Sequence, residues 1–600
     1  MGTYFLVNRI SSSAPLKASA VRSSAGAPSS AIPTKATLGV RAMPPMGWRM
    51  LLLVLAAVVC LWPMVRLASM AVVDWSGAGQ SAAAQVLVQR ATWQALWHSL
   101  VTSTGGMLVS LVLGGSFALL VTLTNVRAKA LWVFGLMLPM MIPPQVTALA
   151  WLQMTGPSSA LLQALGMAPP LGSPQPLYSA AGIALLLGVQ HAALVYLAVR
   201  TSLLAIPADL VEAAQQAGAG RMRVLADVVW PLARRGLAAG AMLAFVSGLG
   251  NFGIPALLGI PASYYVLPTL IYQKMASLGA TMLPQVAILS VMTGVIALLG
   301  VWLQQWLQQS GGYRLLGHVG KPLQWSLGKA RPLAEAVLLV VLVVVLVAPM
   351  LALLAASLVP ALGVRLNWDN MGLSAYAEML LSQRVTWRAA GNSLLLSVLA
   401  AVVLVALCLP LAWWMARRPS RGLRWLEGVL ELPYAVPGVV LAVACILAFA
   451  RPFPWWDWGL YGSLWLILVA YLARFWIVAL RPLLSAMHDV DPALEEAAQL
   501  AGANPRQRLS HILAPLLAPA CWAAGLLVFL TALNELTVSA LLWSAGKETL
   551  GVLIFNFNES GETVLASAVS VLIVLFVVLA MLALAWLGRK LPRGAIPWRN

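Results

Sequence analysis

The sequence predicts an all-α polytopic membrane protein with about twelve transmembrane helices, in two parallel repeats of six helices. Three observations support this fold class. Hydrophobic residues make up 61% of the chain and charged residues only 9%, a composition far from that of water-soluble globular proteins. Apolar runs long enough to cross a bilayer recur along the chain. A polar segment between two of these runs also occurs twice.

The apolar runs form two sets of six, and we number them spans 1 to 12. The first set covers residues 49–73, 97–124, 130–153, 179–204, 235–258 and 283–307. The second set covers residues 333–358, 390–416, 425–450, 459–482, 518–543 and 564–588. Each run exceeds the roughly 20 residues that an α-helix needs to cross about 30 Å of hydrocarbon. We therefore predict a first repeat at 48–310, a linker at 311–332 and a second repeat at 333–590.

Polar segments flank the two repeats. Residues 1–47 are rich in Ser, Ala and Pro and carry five Lys or Arg up to Arg41 with no acidic residue, so we predict a disordered basic tail. Met43 and Met46 precede span 1 and offer an alternative start of the chain. Residues 591–600 are predicted to form a C-terminal tail in the cytoplasm.

The distribution of positive charge predicts the orientation in a bacterial inner membrane. With the N-terminus in the cytoplasm, 29 of the 37 Lys and Arg residues face the cytoplasm, and Arg66 lies within span 1. The outer side then holds seven, namely Arg90, Lys274, Arg365, Arg384, Arg388, Arg451 and Lys547. The positive-inside rule favours this orientation, with both termini cytoplasmic. It also accounts for the net charge of +19 without a nucleic-acid partner.

The chain lacks the sequence patterns of an enzyme. Its four cysteines lie inside apolar runs and show no metal-site spacing: Cys60, Cys408, Cys445 and Cys521. Gly312 and Gly317 have the glycine spacing of a phosphate-binding loop, but His318 follows where that loop needs Lys. No nucleophile and base are paired in a recognisable motif. We therefore expect a non-enzymatic chain without a metal site or a cofactor of its own.

The repeated polar segment is the most specific feature of the sequence. Residues 212–219 read EAAQQAGA and residues 496–503 read EAAQLAGA, so seven of eight positions are identical. Further pairs match in the same order: Pro139 with Pro433, Pro143 with Pro437, HSL at 98–100 with NSL at 392–394, and Pro231 with Pro515. A parallel duplication implies a pseudo-twofold axis along the membrane normal, with the transport path between the halves.

Each copy of this segment, residues 210–232 and 494–516, predicts a short helix, a turn at Gly218 or Gly502 and a second short helix. The second helix is expected to end near the proline where the next span begins. The alanines leave a small, smooth face that suits docking in a groove. Glu212 and Glu496 can attract a basic partner or cap backbone amides. A solvated interfacial helix would explain one copy, whereas two copies in register favour two equivalent partners.

The pattern Glu-Ala-Ala, three residues, Gly, nine residues, an aliphatic residue, one residue, Leu-Pro resembles the signature loop of permeases of binding-protein-dependent ABC importers. Trp230 and Ala514 replace the leucine. The resemblance covers residues 48–590 and implies the type I ABC importer permease fold. It implies that these loops dock two copies of a separate ATPase, which would bind ATP and Mg, and that a periplasmic binding protein delivers the cargo. The loop residues it assigns are Glu212, Ala213, Ala214, Gly218, Glu496, Ala497, Ala498 and Gly502.

The fused two-repeat form is similar to the permeases of ferric iron and thiamine importers. NELTVSALLW from Asn534 and KETLGVLIFNF from Lys547 most resemble the ferric iron group. NFGIPALLG from Asn251 also fits aminoethylphosphonate and polyamine permeases. Iron is therefore the expected cargo, with thiamine, aminoethylphosphonate and polyamines as alternatives.

Polar residues within spans are candidates for the transport path. The resemblance implies that the fifth span of each repeat lines this path, which selects Asn251, Asn534 and Glu535. Hydrogen bonding between helices is the alternative for the asparagines. We expect Glu535 to be an ionised carboxylate suited to a cationic cargo. Arg474, aligned with Gln190, is expected either to pair with an acid or to extend towards the cytoplasm.

The prolines of spans 3 and 9 are expected to break their helices and to act as hinges or as fixed kinks. They are Pro139, Pro143, Pro144, Pro433 and Pro437.

Two other classes of protein remain alternatives. An ion-coupled secondary transporter can also have twelve helices in parallel halves, but the repeated loop and the short segment 125–129 argue against it. An enzyme acting on membrane lipids would need the catalytic residues that the sequence does not show.

Overall fold

The computed structural model describes residues 46–75, 82–170, 172–277, 281–309, 325–450 and 459–587. The predicted tails, apart from residues 46–47, and the linker up to residue 324 lie outside these ranges, as does Arg451. The described chain is α-helical and contains no β-strand, only an isolated bridge between Thr124 and Trp325. The predicted all-α membrane fold is confirmed.

Nine described helices are long and apolar enough to cross a membrane. They are Gly47–Val72, Arg90–Leu123, Ala180–Leu204, Arg221–Leu249, Met282–Leu307, Gly328–Ser357, Arg384–Arg417, Leu464–Asp489 and Thr563–Ala583. Three further spans are bent pairs: Lys129–Met141 with Pro144–Ala164, Arg421–Ala435 with Gly438–Phe449, and Pro505–Leu516 with Ala518–Leu533. Counting each pair as one span gives the predicted twelve.

Spans 3 and 9 are broken helices, as their prolines predicted, and they bend by 102° and 108°. The breaks lie at Pro143 and Pro437, each preceded by a residue in extended conformation. Proline lacks a backbone N–H and disfavours a helical conformation in the residue before it, which explains both breaks. Pro139 and Pro433 lie inside helical segments instead.

Spans 5 and 11 end earlier than expected. The sequence predicted helices reaching residues 258 and 543, but the helices end at Leu249 and Leu533. Separate short helices follow at Gly253–Gly259 and Ser539–Leu542. Hydropathy could not show these ends, since the residues on both sides of each are largely apolar.

The first span of each repeat packs against the other repeat. Span 1 lies against span 9, and the Arg49 guanidinium carbon is 5.8 Å from the centroid of the Trp414 ring. Span 7 lies against span 3, where Leu342 fills the space beside Gly135, 2.8 Å from the position of a Cβ there. The two repeats are therefore intertwined.

Spans 2 and 4 pack closely through glycines. A Cβ on Gly114 would lie 2.2 Å from the Ala192 carbonyl oxygen, and a Cβ on Gly188 would lie 2.3 Å from Val109 Cβ. The Ser110 hydroxyl donates a hydrogen bond of 2.9 Å to the Gly188 carbonyl. Small residues and hydroxyl hydrogen bonds are the usual means of joining helices in membranes.

Equivalent hydrogen bonds at the start of spans 2 and 8 bear out the register of the duplication. Ser99 Oγ accepts from the backbone N–H of Leu267, and Ser393 Oγ accepts from that of Leu550, both at 2.8 Å. These serines are the central residues of the HSL and NSL segments. The matched contacts show that the sequence alignment of the repeats is also a structural alignment.

Near Ser393, the loop before Leu550 is held by a carboxylate. Glu548 accepts two hydrogen bonds from the Arg388 guanidinium, at 3.1 and 3.2 Å, and one of 2.9 Å from the Gly546 N–H. Burial alone would raise the pKa of Glu548, but these backbone and guanidinium donors more than offset it and lower the pKa.

We expect Glu548 to make thermal stability depend on pH in acid. Because its pKa is lowered in the folded state, its contribution is complete above the ordinary carboxyl pKa of about 4 and is lost as the pH falls through the lowered value. Thermal unfolding of the purified protein between pH 7 and pH 3 should therefore show a gap between wild type and Glu548→Gln that closes in acid. A gap that stays constant would contradict this role. Glu378→Gln, at an exposed acid, is the control.

Candidate functional site

The repeated polar segment forms the predicted helix, turn and helix in both halves. The first helices are Ala208–Gln216 and Pro492–Leu500, and we call them the first and second loop helix. Gly218 and Gly502 follow with φ of +83° and +87°. This left-handed conformation is easily adopted by glycine, and it ends each helix with the same backbone pairing. The N–H of Ala219 donates to the Ala214 carbonyl at 3.0 Å and that of Ala503 to the Ala498 carbonyl at 2.9 Å.

The two loop helices expose the same positions. Glu212 and Glu496 are both exposed, and so is the alanine that follows each glutamate. The second alanine of each copy, Ala214 or Ala498, is half-buried. The side chain that caps the second loop helix is Asp491, which accepts from the Ala493 N–H at 2.9 Å. The glutamates therefore do not serve as the N-terminal caps and lie open to a partner.

The chain leaves the two loops differently. In the first, the helix beginning at Arg221 continues through a π-helical turn and past Pro231 into span 5. The expected end near Pro231 is therefore wrong, because the wider turn places this proline at the start of an α-helical segment, where its missing N–H is tolerated. In the second, the chain bends by 75° between Leu516 and Ala518.

The second loop helix is held in place by buried charges that the sequence analysis missed. Glu495 is only 2% exposed. Its carboxylate accepts from Arg417 Nε at 2.6 Å and from Trp413 Nε1 at 2.7 Å. Arg508, also 2% exposed, donates to Gln499 Oε1 at 3.0 Å, and its guanidinium carbon lies 5.8 Å from the Trp413 ring centroid.

Near the middle of the spans, side chains compensate for the broken backbone of span 3. The Met141 carbonyl, at the end of the first segment, accepts from Asn534 Nδ2 at 2.7 Å. The Ile142 carbonyl accepts from Gln190 Nε2 at 3.1 Å. Asn534 belongs to the second repeat and Gln190 to the first. Side chains of both repeats thus stabilise the break, and Asn534 forms a direct hydrogen bond between the two repeats.

Asn534 of span 11 contacts span 3, and the equivalent contact in the other pair of spans joins span 5 to span 9. A Cβ on Gly250, which aligns with Asn534, would lie 3.4 Å from Pro437 Cα, at the break of span 9. In each half, the end of the fifth span therefore meets the broken span of the other half. These two contacts join the repeats at the breaks of spans 3 and 9.

Asn251 and Glu535 have the same local role. Asn251 Oδ1 accepts from the Ile254 N–H at 3.1 Å, and Glu535 Oε1 accepts from the Val538 N–H at 3.0 Å. Each side chain accepts from the backbone N–H three residues later, in the turn that leads into the short helix after its span. The structure thus gives both predicted path residues a structural function at the helix breaks.

The carboxylate of Glu535 is neutralised by Arg474. Arg474 Nε lies 3.2 Å from Glu535 Oε2, and the two side chains are only 17% and 10% exposed. Arg474 therefore pairs with an acid, one of the two outcomes expected for it. Glu535 is thus held in an ion pair, and its role in a path for a cationic cargo stays a prediction.

Gln145 is a further polar residue of this region, absent from the predicted path. It is fully buried, two residues after the break at Pro143, and its amide has no hydrogen-bond partner among the described residues. Its Nε2 lies 3.2 Å from where a Cβ on Gly551 would be, and its Oε1 3.3 Å from a Cβ on Gly253. A lone glutamine directly after two prolines in an apolar run was the available signal.

Within the part of the chain that the structure describes, no group of three or more His, Cys, Asp or Glu is placed to hold a metal ion. The site thus consists of two exposed loop helices and of contacts between the repeats at the breaks of spans 3 and 9. Together these features define a multi-pass membrane transport protein built from two repeats.

The chain belongs to the family described as binding-protein-dependent transport system inner membrane component, whose profile matches residues 106–310 and 408–594. It is therefore an inner-membrane permease of the binding-protein-dependent ABC importer type. Each repeat contains one match, in agreement with a fused two-repeat permease.

Several curated proteins are similar to the chain. The probable ABC transporter permease protein y4fN of Sinorhizobium fredii is 27% identical over 409 residues, covering 67% of this chain and 70% of the relative. The ferric transport system permease protein FbpB of Actinobacillus pleuropneumoniae is 23% identical, over 80% of this chain and 69% of its own length. A putative 2-aminoethylphosphonate transport system permease protein, PhnV of Salmonella choleraesuis, is 28% identical over 28% of this chain and 63% of its own length.

Proposed function

We propose that this chain carries cargo from a periplasmic binding protein into the cytoplasm, driven by ATP that separate ATPase subunits hydrolyse. The observation that supports this proposal is the pair of loop helices, which expose Glu212 and Glu496 at identical positions. Two equal surfaces on one chain suit two copies of one partner. The family implies ATPase and binding-protein partners.

In this proposal both loop helices and both chain termini lie in the cytoplasm, as the distribution of Lys and Arg favours. Each ATPase holds one loop helix in a groove. ATP-driven movement of the ATPases shifts the loop helices and, through spans 5 and 11, the contacts of Gly250 with Pro437 and of Asn534 with Met141. Separation of these contacts opens the path, and their closure seals it.

Ferric iron is the cargo we propose, and the similarity to ferric permeases over most of the chain supports it. Thiamine, 2-aminoethylphosphonate and polyamines remain the alternatives, and the similarity to 2-aminoethylphosphonate permeases covers 28% of the chain. Because Arg474 neutralises Glu535, the path offers no free carboxylate at this position. We therefore expect selectivity to come mainly from the binding protein.

The test is ATP hydrolysis by the complex purified from its native membranes, with its binding protein empty or loaded with iron, thiamine or 2-aminoethylphosphonate. We expect iron to stimulate hydrolysis and Glu212→Ala with Glu496→Ala to abolish the stimulation. A Glu378→Ala variant, with its acid outside both loops, is the control. If no ATPase copurifies, and if uptake persists without ATP but stops with an uncoupler, the chain is an ion-coupled transporter instead.

A further inference from the structure

We propose that the two loop helices are held by different means: the second by a buried ion pair, and the first by apolar packing, with the linker between the repeats bound to the helix that follows it. Arg417, Glu495 and Arg508 are then positioning residues for one of two otherwise equal ATPase sites. The effect on the ATPase sites rests on the proposed function, whereas the way each loop helix is held can be tested on the purified chain alone.

The second loop helix is attached to the end of span 8. Arg417 is the last residue of that helix, and it binds both Glu495 and the Val490 carbonyl, the latter at 3.0 Å. The same side chain therefore contacts the loop helix and the segment that leads into it. Trp413, one turn earlier in span 8, contacts both Glu495 and Arg508. Movement of the second loop helix is transmitted directly to span 8.

The first repeat has apolar residues at all four corresponding positions. Glu495 and Arg508 align with Val211 and Val224, which are fully buried, and Trp413 and Arg417 align with Leu119 and Leu123. Val211, Val224 and Leu123 belong to one continuous apolar core, and the partly buried Leu119 packs against it. The two repeats thus share the backbone structure of the loop, but the side chains that support it are charged or aromatic in the second repeat and aliphatic in the first.

The linker provides polar contacts to the end of span 2 and to the first loop. Trp325 pairs with the end of span 2: its N–H donates to the Leu123 carbonyl at 2.7 Å, and its carbonyl accepts from the Asn125 N–H at 3.2 Å. Arg221, in the helix after Gly218, donates to the Ser326 carbonyl at 2.9 Å. The first loop is thereby connected to the linker that leads into span 7.

The difference has a mechanical consequence. Span 7 packs against span 3 of the first repeat, so a pull on the first loop reaches that broken span through the linker. A pull on the second loop reaches span 8 through Arg417. In this proposal two identical ATPases therefore act on different spans: one on spans 7 and 3 through the linker, the other on span 8 through Arg417.

The first experiment measures hydrogen exchange of both loop helices in the purified full-length protein. Removing one partner of a buried ion pair leaves an uncompensated charge, whereas replacing the whole group by apolar residues is often neutral. We expect Arg417→Leu to speed amide exchange in residues 492–500 by about tenfold or more, with residues 208–216 unchanged.

The matched variant carries the residues of the first repeat: Trp413→Leu, Arg417→Leu, Glu495→Val and Arg508→Val. It should restore exchange at 492–500 to within about threefold of wild type. Arg221→Ala is the reciprocal variant and should speed exchange in the first loop, residues 208–224, with residues 492–500 unchanged. Failure of the fourfold variant to restore protection, or equal acceleration of both loop helices by Arg417→Leu, would overturn the proposal.

The second experiment separates this inference from the proposed function. In membranes that contain the partner subunits, cysteines placed at Ala213 or Ala497 are crosslinked to the ATPase. We expect Arg417→Leu to reduce crosslinking from position 497 only, and the fourfold variant to restore it. If neither position crosslinks in an otherwise unchanged chain, the docking proposal fails, while the exchange result still decides how each loop helix is held.

Discussion

Replacing Arg474 by leucine is expected to lower the free energy of unfolding by about 3–5 kcal/mol, the cost of leaving a buried charge without its partner. Glu535 would remain 10% exposed between apolar helices, where its charged form is poorly solvated. The same carboxylate accepts from the Val538 N–H, just before the helix that begins at Ser539, so its displacement would also loosen the turn after span 11. We expect both stability and transport to fall.

The control for Arg474→Leu comes from the first repeat. Arg474→Gln with Glu535→Asn reproduces Gln190 and Asn251, which hold the equivalent positions without charge. This double variant should recover most of the stability, to within about 1–2 kcal/mol of wild type. The difference in stability is measured by thermal unfolding in detergent, with labelling of the buried cysteines as they become exposed as the signal. Equal stability of Arg474→Leu and wild type would show that the ion pair contributes nothing.

Replacing Gly114 by alanine is expected to destabilise the protein by about 1–3 kcal/mol or more, through overpacking. The new methyl group would lie 2.2 Å from the Ala192 carbonyl oxygen and 2.9 Å from the Tyr196 nitrogen, both of them backbone atoms. Because backbone cannot rotate aside like a side chain, spans 2 and 4 would have to separate along their length. The Ser110 hydrogen bond to Gly188 lies in the same contact and would be strained.

Gly391→Ala provides the matched control in span 8, the counterpart of span 2. A Cβ at Gly391 would meet nothing within 4 Å. This variant should change the free energy of unfolding by less than about 1 kcal/mol, and in the stabilising direction, because alanine favours the helix. The same cysteine-labelling assay compares the two. Similar losses for both glycines would mean that helix propensity, and not close packing, determines the result.

The sequence was sufficient for the fold class and for the helix and glycine turn of each loop. Twelve spans follow from the length and hydropathy of the apolar runs, because crossing a bilayer needs a minimum helix length. The turns at Gly218 and Gly502 follow because the left-handed conformation at a helix end favours glycine. These features depend on local composition, which a single sequence records directly.

The helix ends inside the membrane were harder to predict. Pro143 and Pro437 signalled a break, but their neighbours Pro139 and Pro433 looked equivalent and lie within helices. The residues around a proline in an apolar run do not show whether it breaks the helix or lies within it. Only the side chains that satisfy the freed carbonyls distinguish them, and those residues are distant in the chain.

The buried ion pairs show a different limit of prediction from the sequence. Arg474 and Glu535 were each noticed as a single charge in an apolar run, and opposite charges in a membrane are expected to pair. Glu495 gave no such signal, since it adjoins the exposed Glu496 in a polar loop. Its burial depends on Arg417 and Trp413, which the fold brings beside it.

The packing of span 1 against span 9 also constrains the order of assembly. Span 1 is synthesised first, but its partner in the second repeat emerges only after more than half of the chain. At about 5–20 residues per second, span 1 waits roughly 20–80 s with one face exposed to lipid. The first repeat therefore cannot reach its final form on its own, and the fused chain guarantees that the partner arrives in the same membrane.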